Sequence, residues 1–82
     1  MPIFFFDIER RGACIRDDTG TELAGSEEVP DQAVATLVDV VRAGARYEGG
    51  PGPDARYAVV VRDEAGAGIY RADAMLNGDG AR

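Results

Sequence analysis

Two segments of this chain carry apolar side chains on both sides of a β-strand, and one amphipathic segment is available to cover them. Ile3-Phe4-Phe5-Phe6-Asp7-Ile8 is aromatic and β-branched, a composition that favours extended backbone. Alternate strand residues point to opposite faces, so Phe4, Phe6 and Ile8 share one side while Ile3 and Phe5 take the other. In Arg56-Tyr57-Ala58-Val59-Val60-Val61-Arg62, likewise, Tyr57, Val59 and Val61 oppose Ala58 and Val60. An antiparallel sheet with one wet face normally alternates apolar and polar residues. These strands do not, so a single covering helix leaves apolar surface over.

That helix is read from Ala33, Val34, Leu37, Val38, Val41 and Ala45, which recur at three- and four-residue spacing. The pattern predicts a helix over residues 30–45. Pro30 suits the first position, where a missing N–H costs nothing. Glu27, Glu28 and Asp31 sit at the positive end of its dipole, and Arg42 and Arg46 near the negative end. Gly44 weakens the last turn.

Around these segments the chain is punctuated by turns. Residues 9–12 and 17–20 end in glycine and read as polar turns, with Ala13-Cys14-Ile15-Arg16 a returning strand between them. Thr21-Glu22-Leu23 is extended or irregular. Residues 48–54 form a Gly- and Pro-rich loop, 63–66 a turn, and Gly68-Ile69-Tyr70-Arg71-Ala72 the partner of the 56–62 strand. The order is β-β-α-β-β. The expected fold is α+β, a four-stranded, mainly antiparallel sheet with one helix packed on one face. Residues 1–73 form the single domain and 74–82 a flexible C-terminal tail.

A chain of 82 residues needs help to be stable. Folding at this size hides only about 60% of the unfolded surface, and one such core supplies roughly 3–5 kcal/mol. Cys14 is the sole cysteine, which excludes an internal disulfide and suits a reducing compartment. With no histidine and one cysteine, the donors of a structural zinc site are missing. Self-association is the remaining support. The net charge of −6, with arginine as the only basic residue type, disfavours a nucleic-acid partner. The apolar run Ile3–Phe6 has no basic flank and is too short for a signal segment or a membrane span. A cytoplasmic location without membrane contact is expected.

Candidate sites weaken on inspection. Asp17, Asp18 and Glu22 around Gly20 lack the alternating ligands and distant bidentate Glu of a calcium loop. Asp63 and Glu64 belong to a hairpin tip, where both are expected to be solvated and to form a turn. Gly49-Gly50-Pro51-Gly52-Pro53 lacks the Gly-Lys-Ser/Thr ending of a phosphate cradle. Cys14 has no histidine to activate it. Arg56, Tyr57, Arg62, Tyr70 and Arg71 mix cations with aromatics as single-strand RNA platforms do, but fit a solvated sheet surface better. No cofactor, metal or small-molecule ligand is expected. What remains is surplus apolar sheet surface, with Ile3, Phe5, Val60 and Tyr70 as the expected interface residues.

The segments Met1-Pro2-Ile3-Phe4-Phe5-Phe6-Asp7, Asp17-Asp18-Thr19-Gly20-Thr21-Glu22-Leu23 and Val61-Arg62-Asp63-Glu64-Ala65-Gly66 follow one another in order. Together they resemble a family of short alphaproteobacterial proteins of unknown function. Its members open with Met-Pro, one further residue, an aromatic and Phe-Phe before Asp or His, and carry Asp-x-x-Gly-x-Glu-Leu and Asp-Glu-x-Gly segments. The resemblance spans roughly residues 1–73. Two departures are Ala24-Gly25, where the family often has Pro-Asp, and Pro30, where its helix usually runs uninterrupted. The resemblance implies an architecture and no activity. A looser similarity of element order links the chain to antitoxin domains of mRNA-interferase pairs. The sequence therefore points to a small non-enzymatic interaction or regulatory module, a homodimer or the partner of another protein. The alternative is an antitoxin-like regulator that binds a toxin and nucleic acid.

Overall fold

The computed structural model describes residues 1–10, 12–47 and 55–76. Strand β1 (Ile3–Arg10) is followed by β2 (Ala13–Ile15) and β3 (Thr21–Glu22). A 3₁₀ turn at Ser26–Glu28 leads directly into helix α1 (Val29–Tyr47), and β4 (Ala55–Arg62) and β5 (Gly68–Leu76) complete the chain. The fold is α+β, with one helix against an open antiparallel sheet among the described residues. The Gly-rich segment 48–54 and the tail end 77–82 lie outside the described residues, and β5 runs on to Leu76.

The sheet has five strands, not the expected four, in the order β2-β1-β4-β5 with β3 also paired to β1. The fifth strand comes from Thr21–Glu22. Ile8 pairs with Ile15 at one end of β1, and Phe4 with Thr21 at the other. Both short strands therefore run antiparallel along the same edge of β1. Residues 16–20 bulge out opposite Phe5–Asp7, where the ladder is interrupted. The alternation of apolar and polar residues is too short here to announce a strand.

Between helix and sheet lies the core. Phe4 and Phe6 of β1, Tyr57, Val59 and Val61 of β4, and Ala72 of β5 pack against the helix. The predicted helix face is rotated slightly in the structure. Ala33 and Leu37 are buried as expected, and Val29 and Val40 join them. Val34 and Val38 are 50% and 42% exposed. The apolar stripe is thus wider than the face the sheet can cover. The helix begins one residue before Pro30, because the preceding 3₁₀ turn supplies the backbone geometry that starts it. Glu28 donates its N–H to the Gly25 carbonyl (3.2 Å), and its own carboxylate accepts the Ala24 N–H (3.1 Å).

Gly44 is fixed by packing. A Cβ there would sit 2.6 Å from the Tyr57 hydroxyl, and that buried hydroxyl has no hydrogen-bond partner among the described residues. Alanine is the better helix former by roughly 1 kcal/mol, but overpacking costs about 1–3 kcal/mol. Gly44→Ala is expected to lower the urea midpoint in the wild-type background. In a Tyr57→Phe background, where the obstructing oxygen is gone, the same change is expected to be neutral or stabilising.

Candidate functional site

On the face of the sheet away from the helix, a charged cluster covers the end at Phe5 and Asp7. Asp7, only 7% exposed, stands among apolar neighbours on β1. A carboxylate there survives because every approach to it is filled by a donor. Arg62, one position diagonal on β4, donates Nε to Oδ2 at 2.7 Å and Nη2 to Oδ1 at 3.0 Å. The Asp17 N–H reaches the same Oδ1 at 2.9 Å. The Nη2 of Arg62 also binds the Asp17 carbonyl at 2.8 Å, and the guanidinium lies 5.0 Å above the Phe5 ring centre.

Asp17 then completes the interrupted edge. Its Oδ2 accepts the Phe6 N–H at 2.9 Å, the donor left without a ladder partner between β2 and β3. Its Oδ1 accepts the N–H groups of Thr19 and Gly20, each at 3.0 Å. Gly20 adopts φ +84°, and a Cβ on it would fall 2.5 Å from Ile3 Cγ2. The turn thus lies flat on Ile3 and Phe5.

These contacts set the charges. The Arg62 hydrogen bonds hold the Asp7 carboxyl below its usual range, against the opposing effect of burial. Burial pushes Asp17 upward, but the N–H groups of Phe6, Gly20 and Thr19 outweigh it and leave a net lowering. Both groups stay anionic and fully engaged at neutral pH. Such an arrangement orders the 16–20 turn.

The expected interface residues are therefore divided. Ile3, Phe5 and Val60 share the face opposite the helix, each half-buried, with the first two beneath the 16–20 turn. Tyr70 pairs with Val61 and so stands on the helix side. The surplus apolar surface at Phe5 is covered within the chain. Asp63 is a turn residue, accepting the N–H groups of Ala65 and Ala67 (3.0 and 2.9 Å). Cys14 is exposed and unpaired. Among the described residues, no group of three or more His, Cys, Asp or Glu is placed to hold a metal ion. A shallow groove of about 300 Å³ runs between α1 and the β1–β2 hairpin, lined by Ile8, Ile15 and Val40 with Arg10 and Asp39.

Open surface lies at the other end of the sheet. Among the described residues no strand pairs with the outer edge of β5. Ile69, Tyr70 and Met75 are exposed along it. Thr36 and Ala43 of α1 line the groove toward β1. At 3.6 residues per turn, Val34 and Val38 therefore fall on the opposite flank, toward β5. Sequence reasoning missed this site because it treated both as core. The signal was present in a hydrophobic stripe broader than one sheet face requires.

Fold and surface together define a small α+β domain whose sheet carries the helix on one face and whose β5 outer edge is unpaired among the described residues. The chain belongs to the family described as a domain of unknown function (DUF6894), whose family model matches residues 3–75. No curated protein and no solved structure matches the chain. No helix among the described residues is long and apolar enough to cross a membrane.

Lowered carboxylate pKa values make stability depend on pH in one direction. The stabilisation is complete above the unfolded aspartate pKa of about 3.9. It is lost as pH falls through the lower folded values. Urea titrations from pH 7 to pH 2 are expected to show a flat plateau followed by a fall below about pH 4. Asp7→Ala is expected to cost about 2–3 kcal/mol at pH 7, since it strands donors in a dry site. That variant should also lose part of the acid-dependent fall.

Proposed function

We propose that the protein is a non-enzymatic protein-interaction module that engages a partner through the β5 edge and the adjoining flank of α1. The observation that supports this reading is the coincidence of two unsatisfied features at one place. A strand edge offers unpaired N–H and C=O groups to any extended backbone laid beside it. Here that edge adjoins exposed Val34, Val38, Ile69, Tyr70 and Met75. Soluble domains usually blunt such an edge with lysine, proline or a covering loop. The segment Gly68–Leu76 contains no lysine or proline, and its two charged residues, Arg71 and Asp73, have opposite signs. A cytoplasmic location is part of the proposal, and the free, exposed Cys14, which suits a reducing compartment, supports it.

The test is the native mass of the full-length protein purified from the cells that make it. Wild type is expected to elute as a complex with a defined protein, whether another copy or a different chain. Ile69→Lys/Met75→Lys, which puts lysines on the edge without touching the core, is expected to elute as a folded monomer. A wild-type protein recovered alone, at monomer mass, would overturn the reading.

A further inference from the structure

Resting on that reading of the β5 edge, we infer that its partner is a second copy of the chain, paired antiparallel through β5 with Ala72 opposite Ala72. The inference comes from the order of charges and sizes along the strand. About a two-fold axis at Ala72, Arg71 of each copy stands opposite the partner's Asp73. Tyr70 stands opposite the partner's Ala74, large against small. Ile69 stands opposite the partner's Met75, two exposed apolar side chains brought together. Directly opposed residues on antiparallel strands have their Cβ atoms about 4.5–5.5 Å apart, and opposite charges there attract.

Competing registers lose these matches. An axis at Arg71 or at Asp73 sets like charges face to face, which destabilises pairing. A slip of one residue opposes side chains of different faces and throws the partner's helix to the other side of the sheet. Only the register at Ala72 matches Arg71 with Asp73 twice. It also keeps both helices on one face, with the Val34 and Val38 flanks turned toward the junction.

Arg71 lies on the face of the sheet away from the helix, held by exposed contacts that a partner's carboxylate can replace. Its Nη2 binds Glu9 at 3.0 Å and its Nε binds Asp73 of the same chain at 2.9 Å, yet the side chain remains half exposed. Glu9 lies two strands inward on β1, so Arg71 exchanges that exposed contact for the partner's Asp73, and its five donors let it keep Asp73 of its own chain as well. The combined sheet would run β2-β1-β4-β5 and back through the second copy, leaving no open β5 edge.

The experiment is light scattering and sedimentation of the pure full-length chain over a concentration series, with circular dichroism to check folding. Wild type is expected to dimerise. Arg71→Asp places Asp opposite Asp, and Asp73→Arg places Arg opposite Arg, so each alone should weaken self-association roughly tenfold or more. Mixed one to one, the two variants oppose Asp with Arg at both positions, and a heterodimer of wild-type affinity is expected. Asp73→Asn, a milder change that leaves the fold undisturbed, should weaken the dimer a few-fold. Wild type monomeric at every concentration would overturn the second copy as partner, while the interaction reading would still be judged on the complex taken from cells. A dimer indifferent to these substitutions, or a mixture that does not recover, would overturn the register.

Discussion

Asp7, Arg62 and Asp17 tie β1, β4 and the 16–20 turn together at one point. The Arg62 guanidinium spans from the carboxylate of β1 to the main-chain carbonyl of the 16–20 turn. Asp17 in turn replaces the missing ladder partner of Phe6. Through these few bonds an interrupted edge behaves as one row of the sheet. At Ile3 and Phe5 the face opposite the helix, which carries no second layer among the described residues, is covered by charge and a turn. A buried ion pair of this kind is weak evidence of net stability, since desolvation offsets much of its attraction. Its clearer effect is on arrangement, because removing one member would strand the others.

This closure decides where the molecule can meet another. A single helix cannot hide both sides of a sheet whose strands are apolar throughout, and the sequence states that difficulty plainly. The structure resolves half of it locally, by laying Gly20 on Ile3 and Phe5 and by stacking Arg62 over the Phe5 ring. The other half stays open at β5. The proposed association follows from this difference: an unpaired β5 edge invites backbone pairing, and the side-chain order along Gly68–Leu76 is what we infer selects the partner.

How much of this was legible beforehand depended on the range of the pattern involved. The helix, the strands of the second hairpin and the first half of the opening hairpin follow from local periodicity, and they fall where the residues predict. The burial of Phe4, Phe6, Val59 and Val61 follows from alternation. What was not legible depends on partners far apart in sequence. The pairing of Asp7 with Arg62 joins positions on β1 and β4, and nothing in either neighbourhood marks one for the other. The β3 strand is two residues long and is defined by β1, not by its own composition. Val34 and Val38 read as core because a hydrophobic stripe tells how wide an apolar face is, not how much of it the sheet reaches. The side on which Tyr70 stands was not legible either, because the β4–β5 pairing skips Ile69, and one skipped residue reverses every face beyond it.

The most direct test is amide hydrogen exchange of the full-length protein, read residue by residue at a low and a high protein concentration. The account predicts that the Phe6, Thr19 and Gly20 amides, held by Asp17, are equally protected at both. The amides of Gly68–Leu76 should gain protection only on concentration. The opposite pattern would contradict it: a 16–20 turn whose protection changes with concentration while β5 does not would mean that the Phe5 face, and not the β5 edge, is where the molecule meets its partner.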